Sequence, residues 1–425
     1  MVPLSFKWLS RDGKLLLIAR ATRTFGYGFL SVTLSIYLKL IGYNDLLIGL
    51  LLSLTLVNSI IFTLIASFYA DRFGRRKMLI VYALLMSMSG VIFFVSNNFY
   101  LLIISALVGT INITGSETGA FLSVEQAVLP QTLLKQKDSV KRQNTLFAIY
   151  NMVGTFAMSA GILVSGLPGI LESQYGLNQI QSIKPLFLLY SLLGIGVTAS
   201  YFLLSKKIEI DNHGLNNRER KNVTMNSLQV LSPKSRKTVG KLSGLFAVDS
   251  FAGGFVIQGI VSLWFFTRFG ADLSTISYIF SIAGVLTAFS FLASAKIADR
   301  IGLINTMVFT HIPSNILLIL VAFAPTLPMA IAFYLARMAL SQMDVPTRQS
   351  YVVGVVNEDE RTAAVGITNI SRNVAQSISP SIAGSILQSL PSFLSAPFII
   401  GGVLKIIYDV ALYLNFKRTK SSYED

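Results

Sequence analysis

Twelve charged side chains stand inside long apolar segments of this sequence, where a charge is costly and marks a candidate functional site. The acids are Glu117, Glu125, Asp249, Asp344 and Asp409, and the bases are Arg20, Arg23, Lys296, Arg337, Arg348, Arg372 and Lys405. A carboxyl group beside an arginine is held in its charged form, whereas loss of water favours its protonated form. Such acid–arginine pairs can take up and release a proton, and the arginine can also bind a carboxylate or phosphate group of a ligand.

The depth of these residues along predicted helices sorts them into two clusters. Arg23 and Glu117 each lie about nine residues, or about 13 Å at 1.5 Å per residue, above the predicted inner ends of their helices. Asp249 lies near the level of Arg348, and Asp344 is one turn higher. We therefore expect Arg23 to pair with Glu117, and Asp249 to pair with Arg348 and Asp344.

These clusters suggest roles in binding protons and a ligand. Because arginine does not release its proton, the proton carrier must be an acid, with Glu117 the first candidate, followed by Asp344 and Asp249. The candidate ligand contacts are Arg23, Tyr27, Arg348, Gln258 and Arg372. The alternative is a purely structural role, in which the ion pairs hold helices together.

The remaining charges in the apolar segments fit simpler roles. Glu125, near the predicted inner end of its helix, is expected to pair with Arg75 or Arg76. Arg20 is expected to extend its side chain to the inner interface. Lys405 and Asp409 are four residues apart, which predicts a pair on a helix surface.

The elements that carry these residues are predicted to span a membrane. The chain has 425 residues, of which 53% are hydrophobic and 13% are charged, against about 25% charged in soluble domains, and its mean hydropathy is +0.63. A spanning helix needs about 20 mostly apolar residues. Twelve segments qualify, near 15–40, 46–70, 78–96, 100–126, 143–167, 184–204, 242–267, 273–296, 303–324, 327–352, 362–388 and 393–416.

The basic residues predict the orientation of these spans. With the N-terminus inside, 25 of the 35 Lys and Arg residues fall in inner loops, 3 fall in outer loops and 7 fall within spans. Cytoplasmic loops carry such an excess, so both termini are expected in the cytoplasm. The net charge of +15 then reflects loop position and requires no nucleic-acid partner. No signal peptide is predicted at the N-terminus.

The chain also repeats itself. Ala70-Asp71-Arg72-Phe73-Gly74 recurs as Ala298-Asp299-Arg300-Ile301-Gly302, Gly28-Phe29 recurs as Gly254-Phe255, and Ala160-Gly161 recurs as Ala383-Gly384, at offsets of 228, 226 and 223. Parallel six-span repeats are a known transporter architecture. We therefore predict an N-terminal six-helix bundle at 1–204, a polar cytoplasmic linker at 205–241 and a C-terminal six-helix bundle at 242–425.

The loop after the second span resembles the signature loop of the major facilitator superfamily. The family pattern is Gly-x-x-x-Asp-Arg-x-Gly-Arg-(Arg/Lys), and the chain reads Asp71-Arg72-Phe73-Gly74-Arg75-Arg76, with Ser67 in place of the first glycine. The second copy keeps Asp299, Arg300 and Gly302 but lacks the basic pair. The resemblance implies an all-α membrane fold of twelve helices in two bundles. It also implies an inner gate, in which Asp71 meets the start of span 11, Asp299 meets the start of span 5, and Glu125 joins Arg75 or Arg76.

The resemblance further implies that spans 1, 4, 7 and 10 line one central cavity that both charged clusters face. The expected function is secondary transport of a small organic solute by alternating access, coupled to protons, with Arg23 and Arg348 favouring an anionic or zwitterionic solute. The alternatives are an efflux antiporter for hydrophobic or cationic compounds and a non-transporting receptor or scaffold. The antiporters of the family carry a Gly-Pro bend in span 5, which this chain lacks.

Other chemistry is not encoded. No phosphate-binding loop or hydrolase motif is present, so no enzyme activity and no cofactor are predicted. With no Cys and only two His, thiol chemistry and disulfides are excluded and no metal site is predicted. The expected partners are a small-molecule substrate, protons and the lipid bilayer, with the chain acting as a monomer in the cell membrane.

Overall fold

The computed structural model is helical through the parts of the chain that it describes, which are residues 8–115, 119–133, 139–209, 231–357 and 360–419. Within these parts it contains no strand, and one isolated bridge joins Leu9 to Leu133. The helices, numbered in chain order, are α1 (Arg11–Leu40), α2 (Asp45–Phe73), α3 (Arg75–Val95), α4 (Phe99–Val108), α5 (Ala120–Val128), α6 (Ser139–Val164), α7 (Leu167–Tyr175), α8 (Gln179–Phe202), α9 (Pro233–Gly254), α10 (Gln258–Phe269), α11 (Leu273–Ile301), α12 (Leu303–Ala322), α13 (Leu327–Ser341), α14 (Asp344–Gly354), α15 (Arg361–Ser389) and α16 (Ala396–Phe416). Short 3-10 helices occupy Leu129–Thr132, Lys206–Ile208 and Pro391–Phe393.

The chain divides into two compact units. Unit 1 comprises Met1–Gly42 and Leu54–Gly214, and unit 2 comprises Tyr43–Ser53 and Leu215–Asp425. Each unit has its own core of buried apolar side chains. In unit 1 this core includes Leu16, Leu79 and Leu129, and in unit 2 it includes Leu242, Met307 and Leu412.

Glycine permits close helix crossings in both units. An added Cβ on Gly28 of α1 would lie 2.2 Å from the carbonyl oxygen of Met158, and one on Gly161 of α6 would lie 1.9 Å from the backbone of α1. In unit 2, a Cβ on Gly254 of α9 would lie 2.8 Å from the carbonyl oxygen of Gln376 on α15. Small residues allow such backbone approach between membrane helices. Gly28 and Gly254, which the repeat pairs, therefore have the same packing role.

Three of the predicted spans are interrupted. Where span 4 was expected, α4 ends at Val108 and α5 begins at Ala120. Span 7 breaks between Gly254 and Gln258, and span 10 breaks between Ser341 and Asp344. Inside a bilayer, non-helical backbone is tolerated where it is buried in protein or lines a water-filled cavity. At the break in span 7, Phe255, Val256 and Ile257 are at most 9% exposed, so that backbone is buried in protein.

In the described part of the chain, eight helical segments are long and apolar enough to cross a membrane. They are Asp45–Ala70, Arg75–Val95, Leu146–Tyr175, Gln179–Phe202, Pro233–Phe269, Leu273–Ile301, Leu303–Ala322 and Ala396–Phe416. Many of their large apolar side chains are exposed, as Leu192 and Phe289 are, which suits contact with lipid. The four other predicted spans fall on α1 and α15 and on the broken pairs α4–α5 and α13–α14, so the number twelve stays a prediction.

Candidate functional site

A buried ion pair joins α1 to α5 in unit 1. The guanidinium of Arg23 donates to both carboxylate oxygens of Glu125, at 3.2 and 2.8 Å. Both side chains have no exposed surface. The two parallel hydrogen bonds are the strongest geometry available to an arginine and a carboxylate, and they compensate two charges that would otherwise be very costly in this interior.

Two tyrosines complete the hydrogen bonding of this pair. Tyr201 of α8 donates to Oε1 of Glu125 at 2.7 Å and accepts from Arg23 at 2.6 Å. Tyr150 of α6 donates to Oε2 of Glu125 at 2.5 Å. The ring of Phe121 lies under the Arg23 guanidinium, 4.3 Å from its centroid. Four helices of unit 1 thus meet at one carboxylate.

This arrangement corrects the partner expected for Glu125. Glu125 binds Arg23, Tyr150 and Tyr201, and it does not pair with Arg75 or Arg76. Arg23 binds Glu125, and because Glu117 lies outside the described residues, the expected pairing of Arg23 with Glu117 stays a prediction.

Arg20 does not extend to an interface either. It is 5% exposed, lies over the ring of Tyr150 at 3.9 Å and donates to the Tyr150 carbonyl oxygen at 3.0 Å. The ring face and the carbonyl oxygen compensate its charge within unit 1.

The signature loop is bound by Glu209, an acid that belongs to none of the motifs identified in the sequence. Glu209 accepts from the backbone N–H groups of Arg75 at 2.7 Å and Arg76 at 3.2 Å, and so stabilises the positive end of the α3 dipole. Gly74 has a φ of 99° and Gly302, its counterpart, has a φ of 86°, a region that favours glycine. The glycines of both copies are therefore required by the turn.

The remaining gate residues are only partly placed. The side chains of Asp71 and Arg72 lie outside the described part of the chain, as do those at the start of α6. Asp299 and Arg300 are exposed. The predicted contacts of Asp71 with span 11 and of Asp299 with span 5 therefore stay predictions.

Unit 2 contains a longer chain of charges. Arg348 donates to Asp344 at 2.6 Å and to Asp249 at 3.4 Å. Asp249 also accepts from Lys405 of α16 at 2.6 Å. All four side chains are at most 9% exposed. The structure thus brings together Asp249, Arg348 and Asp344, as depth along the helices predicts, and adds Lys405.

The presence of Lys405 overturns the predicted surface pair. Lys405 is 7% exposed and Asp409 is fully buried. Asp409 lies 2.8 Å from Nδ1 of His311 and accepts from Asn315 at 2.9 Å. The i,i+4 spacing suggested a local pair, but the two side chains bind groups on different helices because both face the interior of unit 2.

The other candidate ligand contacts differ in environment. Arg372 of α15 is half-buried, and its Nε donates to the hydroxyl of Ser250 at 3.0 Å. Gln258 is the first residue of α10, and its buried amide nitrogen has no hydrogen-bond partner among the described residues.

Tyr27, in unit 1, is 3% exposed and lines a small cavity with Asn58 and Thr110 beside the break in span 4. With about 20 Å³, this cavity holds no more than a water molecule or so.

The two charged clusters occupy equivalent positions of the repeat. Arg23 and Asp249 are offset by 226 residues, and Glu125 and Arg348 are offset by 223, which is the offset already found for Ala160-Gly161. The same helix pair therefore carries an Arg–Glu pair in unit 1 and an Asp–Arg pair in unit 2, with the signs exchanged. Applying the 223 offset to span 4 would have identified Glu125 from the sequence.

Comparison with known proteins agrees with this architecture. The family model described as Major Facilitator Superfamily matches residues 16–380 and again residues 244–424. An uncharacterized membrane protein of Saccharomyces cerevisiae is 30% identical over 433 residues, covering 97% of this chain and 95% of that protein.

Solved structures share the fold at low identity. A variant of the nucleoside transporter NupG superposes with a TM-score of 0.75 at 12% identity, covering 96% of this chain and 100% of that one. A D-xylose-proton symporter gives 0.72 at 13%, covering 97% and 98%. A POT family transporter in complex with 5-aminolevulinic acid gives 0.73 at 14%, covering 97% of both chains. The chain is a membrane protein with a transporter fold, and it belongs to the major facilitator superfamily.

Proposed function

We propose that this protein is a secondary transporter that moves a small organic solute across the cell membrane by alternating access, driven by protons. The observation that carries the proposal is the pair of acid–base clusters at equivalent helix positions, buried in a protein whose fold is that of transporters. Charges in such a place are expensive to maintain. Neither cluster resembles an enzyme site.

The preference for an anionic or zwitterionic solute now depends on Arg372. Arg23 and Arg348 were the expected anchors, but each is already bound to carboxylates. Arg372 donates to a neutral hydroxyl, and among the described residues it has no carboxylate partner. Its remaining N–H groups suit a carboxylate or phosphate group of the solute.

The proton carrier is proposed among Glu117, Asp344 and Asp249. Asp344 and Asp249 each accept a hydrogen bond from Arg348, and a change in the water content or pairing of such a site changes the proton affinity of an acid. A cationic substrate would need a free carboxylate. Because Asp249 and Asp344 are already paired with bases, the efflux antiporter alternative has less support than solute–proton transport.

The proposed topology is twelve spans with both termini in the cytoplasm and the protein working as a monomer. The 25 to 3 distribution of basic loop residues supports this orientation. The four spans that do not qualify by length and apolarity coincide with α1, α15 and two broken helix pairs. Polar residues and interruptions of this kind are expected where transporter helices face a binding region.

A solute panel tests the proposal. The purified protein is reconstituted into liposomes that contain a pH-sensitive dye, and organic acids, amino acids, amines and neutral sugars are added in turn. We expect proton movement with acids or zwitterions, loss of it in Arg372→Gln, and a raised KM with partial activity in Arg372→Lys. Lys296→Gln, which changes an exposed lysine, is the control. Proton movement with amines alone would favour the antiporter, and binding without flux would favour a receptor.

A further inference from the structure

His311 and Asp409 form a buried pair that the solute site does not use. Nδ1 of His311 on α12 lies 2.8 Å from Oδ1 of Asp409 on α16, and the amide of Asn315 donates to Oδ2 at 2.9 Å. His311 is 3% exposed and Asp409 is 0% exposed. The carboxylate is thus buried against one neutral amide and one ring that can carry a charge. Histidine is the side chain whose ordinary titration lies in the physiological range.

Charged groups on neighbouring helices surround this pair. Lys405, one turn before Asp409, donates to Asp249 of α9 at 2.6 Å. Asp249 also accepts from Arg348 of α14, which holds Asp344. Arg337 of α13 is buried, and its Nε has no hydrogen-bond partner among the described residues. Arg372 of α15 binds Ser250, next to Asp249. The ring of Tyr408 lies 6.1 Å from that of His311.

We propose that His311, paired with Asp409, is a proton-binding site of unit 2 that controls the charge available to the solute at Arg372. In the neutral ring the Nδ1 proton faces Asp409, because a carboxylate only accepts hydrogen bonds. A hydronium ion then transfers a proton to the lone pair of Nε2: the N–H bond forms, one O–H bond of the hydronium breaks, and a water molecule is released. The product is an imidazolium–carboxylate pair, so the site gains one positive charge.

The linked charges of Lys405, Asp249 and Arg348 connect this change to the proposed solute site at Arg372. Protonation of His311 adds one positive charge beside Asp409, which lies one helical turn after Lys405, the partner of Asp249. Asp249 and Arg348, which donates to it, then lie in a more positive environment. The added positive charge favours an anion at Arg372. This step rests on the proposed function and predicts that protons and an anionic solute bind cooperatively, since coupling between two sites is reciprocal.

Nitrogen NMR of the imidazole tests the site without a solute. The chain has two histidines, so His213→Gln in the full-length protein, reconstituted in lipid nanodiscs with ¹⁵N-labelled histidine, leaves one ring. We expect its nitrogen resonances to change from those of a neutral ring to those of an imidazolium when the pH is lowered. A ring that stays in one protonation state at every pH at which the protein remains folded overturns the proposal.

Two further variants move the midpoint in opposite directions. Asp409→Asn removes the carboxylate and is expected to lower the midpoint by at least about one pH unit, a tenfold loss of proton affinity. Lys405→Gln removes a neighbouring cation and is expected to raise it. An unchanged midpoint in both variants overturns the role of the pair, and Lys405→Gln decides the matter if Asp409→Asn does not fold.

Transport separates this inference from the proposed function. Solute-driven proton movement that persists unchanged in His311→Gln overturns the coupling role even if the ring titrates. A ring that titrates as expected in a protein that moves no solute leaves the proton site in place and contradicts the transporter proposal.

Discussion

At the residue scale, the distinctive feature is an ion pair that occurs twice with its charges exchanged. Arg23 and Glu125 in unit 1 correspond to Asp249 and Arg348 in unit 2. In unit 1 two tyrosines and the arginine donate hydrogen bonds to the carboxylate, so that both of its oxygens have donors. In unit 2 the aspartate is shared between Arg348 and Lys405. The first pair is suited to holding helices together, and the second has partners that can be redistributed.

Depth along a helix predicted the cluster of unit 2, whereas the pairing of Arg23 with Glu117 stays a prediction because Glu117 lies outside the described residues. Asp249, Arg348 and Asp344 are close together, and the breaks near them do not alter their relative levels. For unit 1, span 4 was taken to end at 126, but helical turns continue to Thr132. Glu125 therefore lies deeper in the span than predicted, at the level of Arg23. The break before Ala120 has no clear signal in the apolar pattern.

The Arg23–Glu125 pair gives a stability prediction. Replacing one partner, as in Glu125→Leu, removes the carboxylate that the buried guanidinium binds and should cost about 3–5 kcal/mol, whereas Arg23→Met with Glu125→Leu should recover most of that loss. Thermal unfolding of the purified variants measures both, with Asp299→Asn at an exposed position as control. A double variant as unstable as the single one would contradict this account.

At the element scale, the repeat is expressed in helix packing. Gly28 and Gly254 recur in the sequence and both lie at crossings that leave no room for a side chain. This role could be anticipated because only small residues allow such approach. The partner of the signature loop could not, since Glu209 follows a 3-10 turn more than a hundred residues after Gly74 and belongs to no motif.

The helix crossing predicts different outcomes for two glycines. Gly161→Ala places a methyl group against the backbone of α1, whereas Gly196→Ala, also in a helix of unit 1, meets nothing within 4 Å. We expect the first to lower the yield of folded protein and the melting temperature strongly, and the second to leave them unchanged or slightly raised, since alanine favours helix. Equal effects on size-exclusion profile and melting temperature would contradict the packing role.

The start of α15 predicts a dependence on pH. Glu360 accepts from the hydroxyl of Ser235 and the backbone of Ser232, both at 2.5 Å, and these hydrogen bonds, that of Ser235 first, lower the pKa of Glu360 from 4.5 to about 2. A carboxylate whose pKa is lower in the folded state stabilises the fold at pH values above its unfolded-state pKa. This contribution is lost as the pH falls toward the folded-state pKa. Glu360→Gln should therefore lower the melting temperature at neutral pH. The difference from wild type should shrink between about pH 4.5 and 2, and a constant difference would refute the assignment.

At the scale of the whole molecule, composition and loop charge predict a membrane protein, and the family match bears this out. The number of spans and their orientation follow from the same data but stay predictions. The broken pairs α4–α5 and α13–α14 consist of helices too short to count as single spans, and α15 is rich in polar residues.

The chain offers a direct test of topology because it contains no cysteine. Tyr175→Cys, in the exposed end of α7, is expected to react with a membrane-impermeant thiol reagent in intact cells. Arg418→Cys, after α16, is expected to react only after the cells are opened. The reverse pattern would invert the orientation. Labelling of both sites in intact cells would contradict the odd number of spans predicted between the outer loop at Tyr175 and the C-terminus.

Concentrative uptake in proteoliposomes tests the central claim most directly. A radiolabelled solute identified by the panel is supplied outside, with an imposed pH gradient, acid outside. The account predicts accumulation above the external concentration, which collapses on addition of a protonophore and is reduced in Glu117→Gln and in Arg372→Gln. Uptake that only reaches equilibrium, with no response to the gradient or to either variant, would contradict proton-coupled transport.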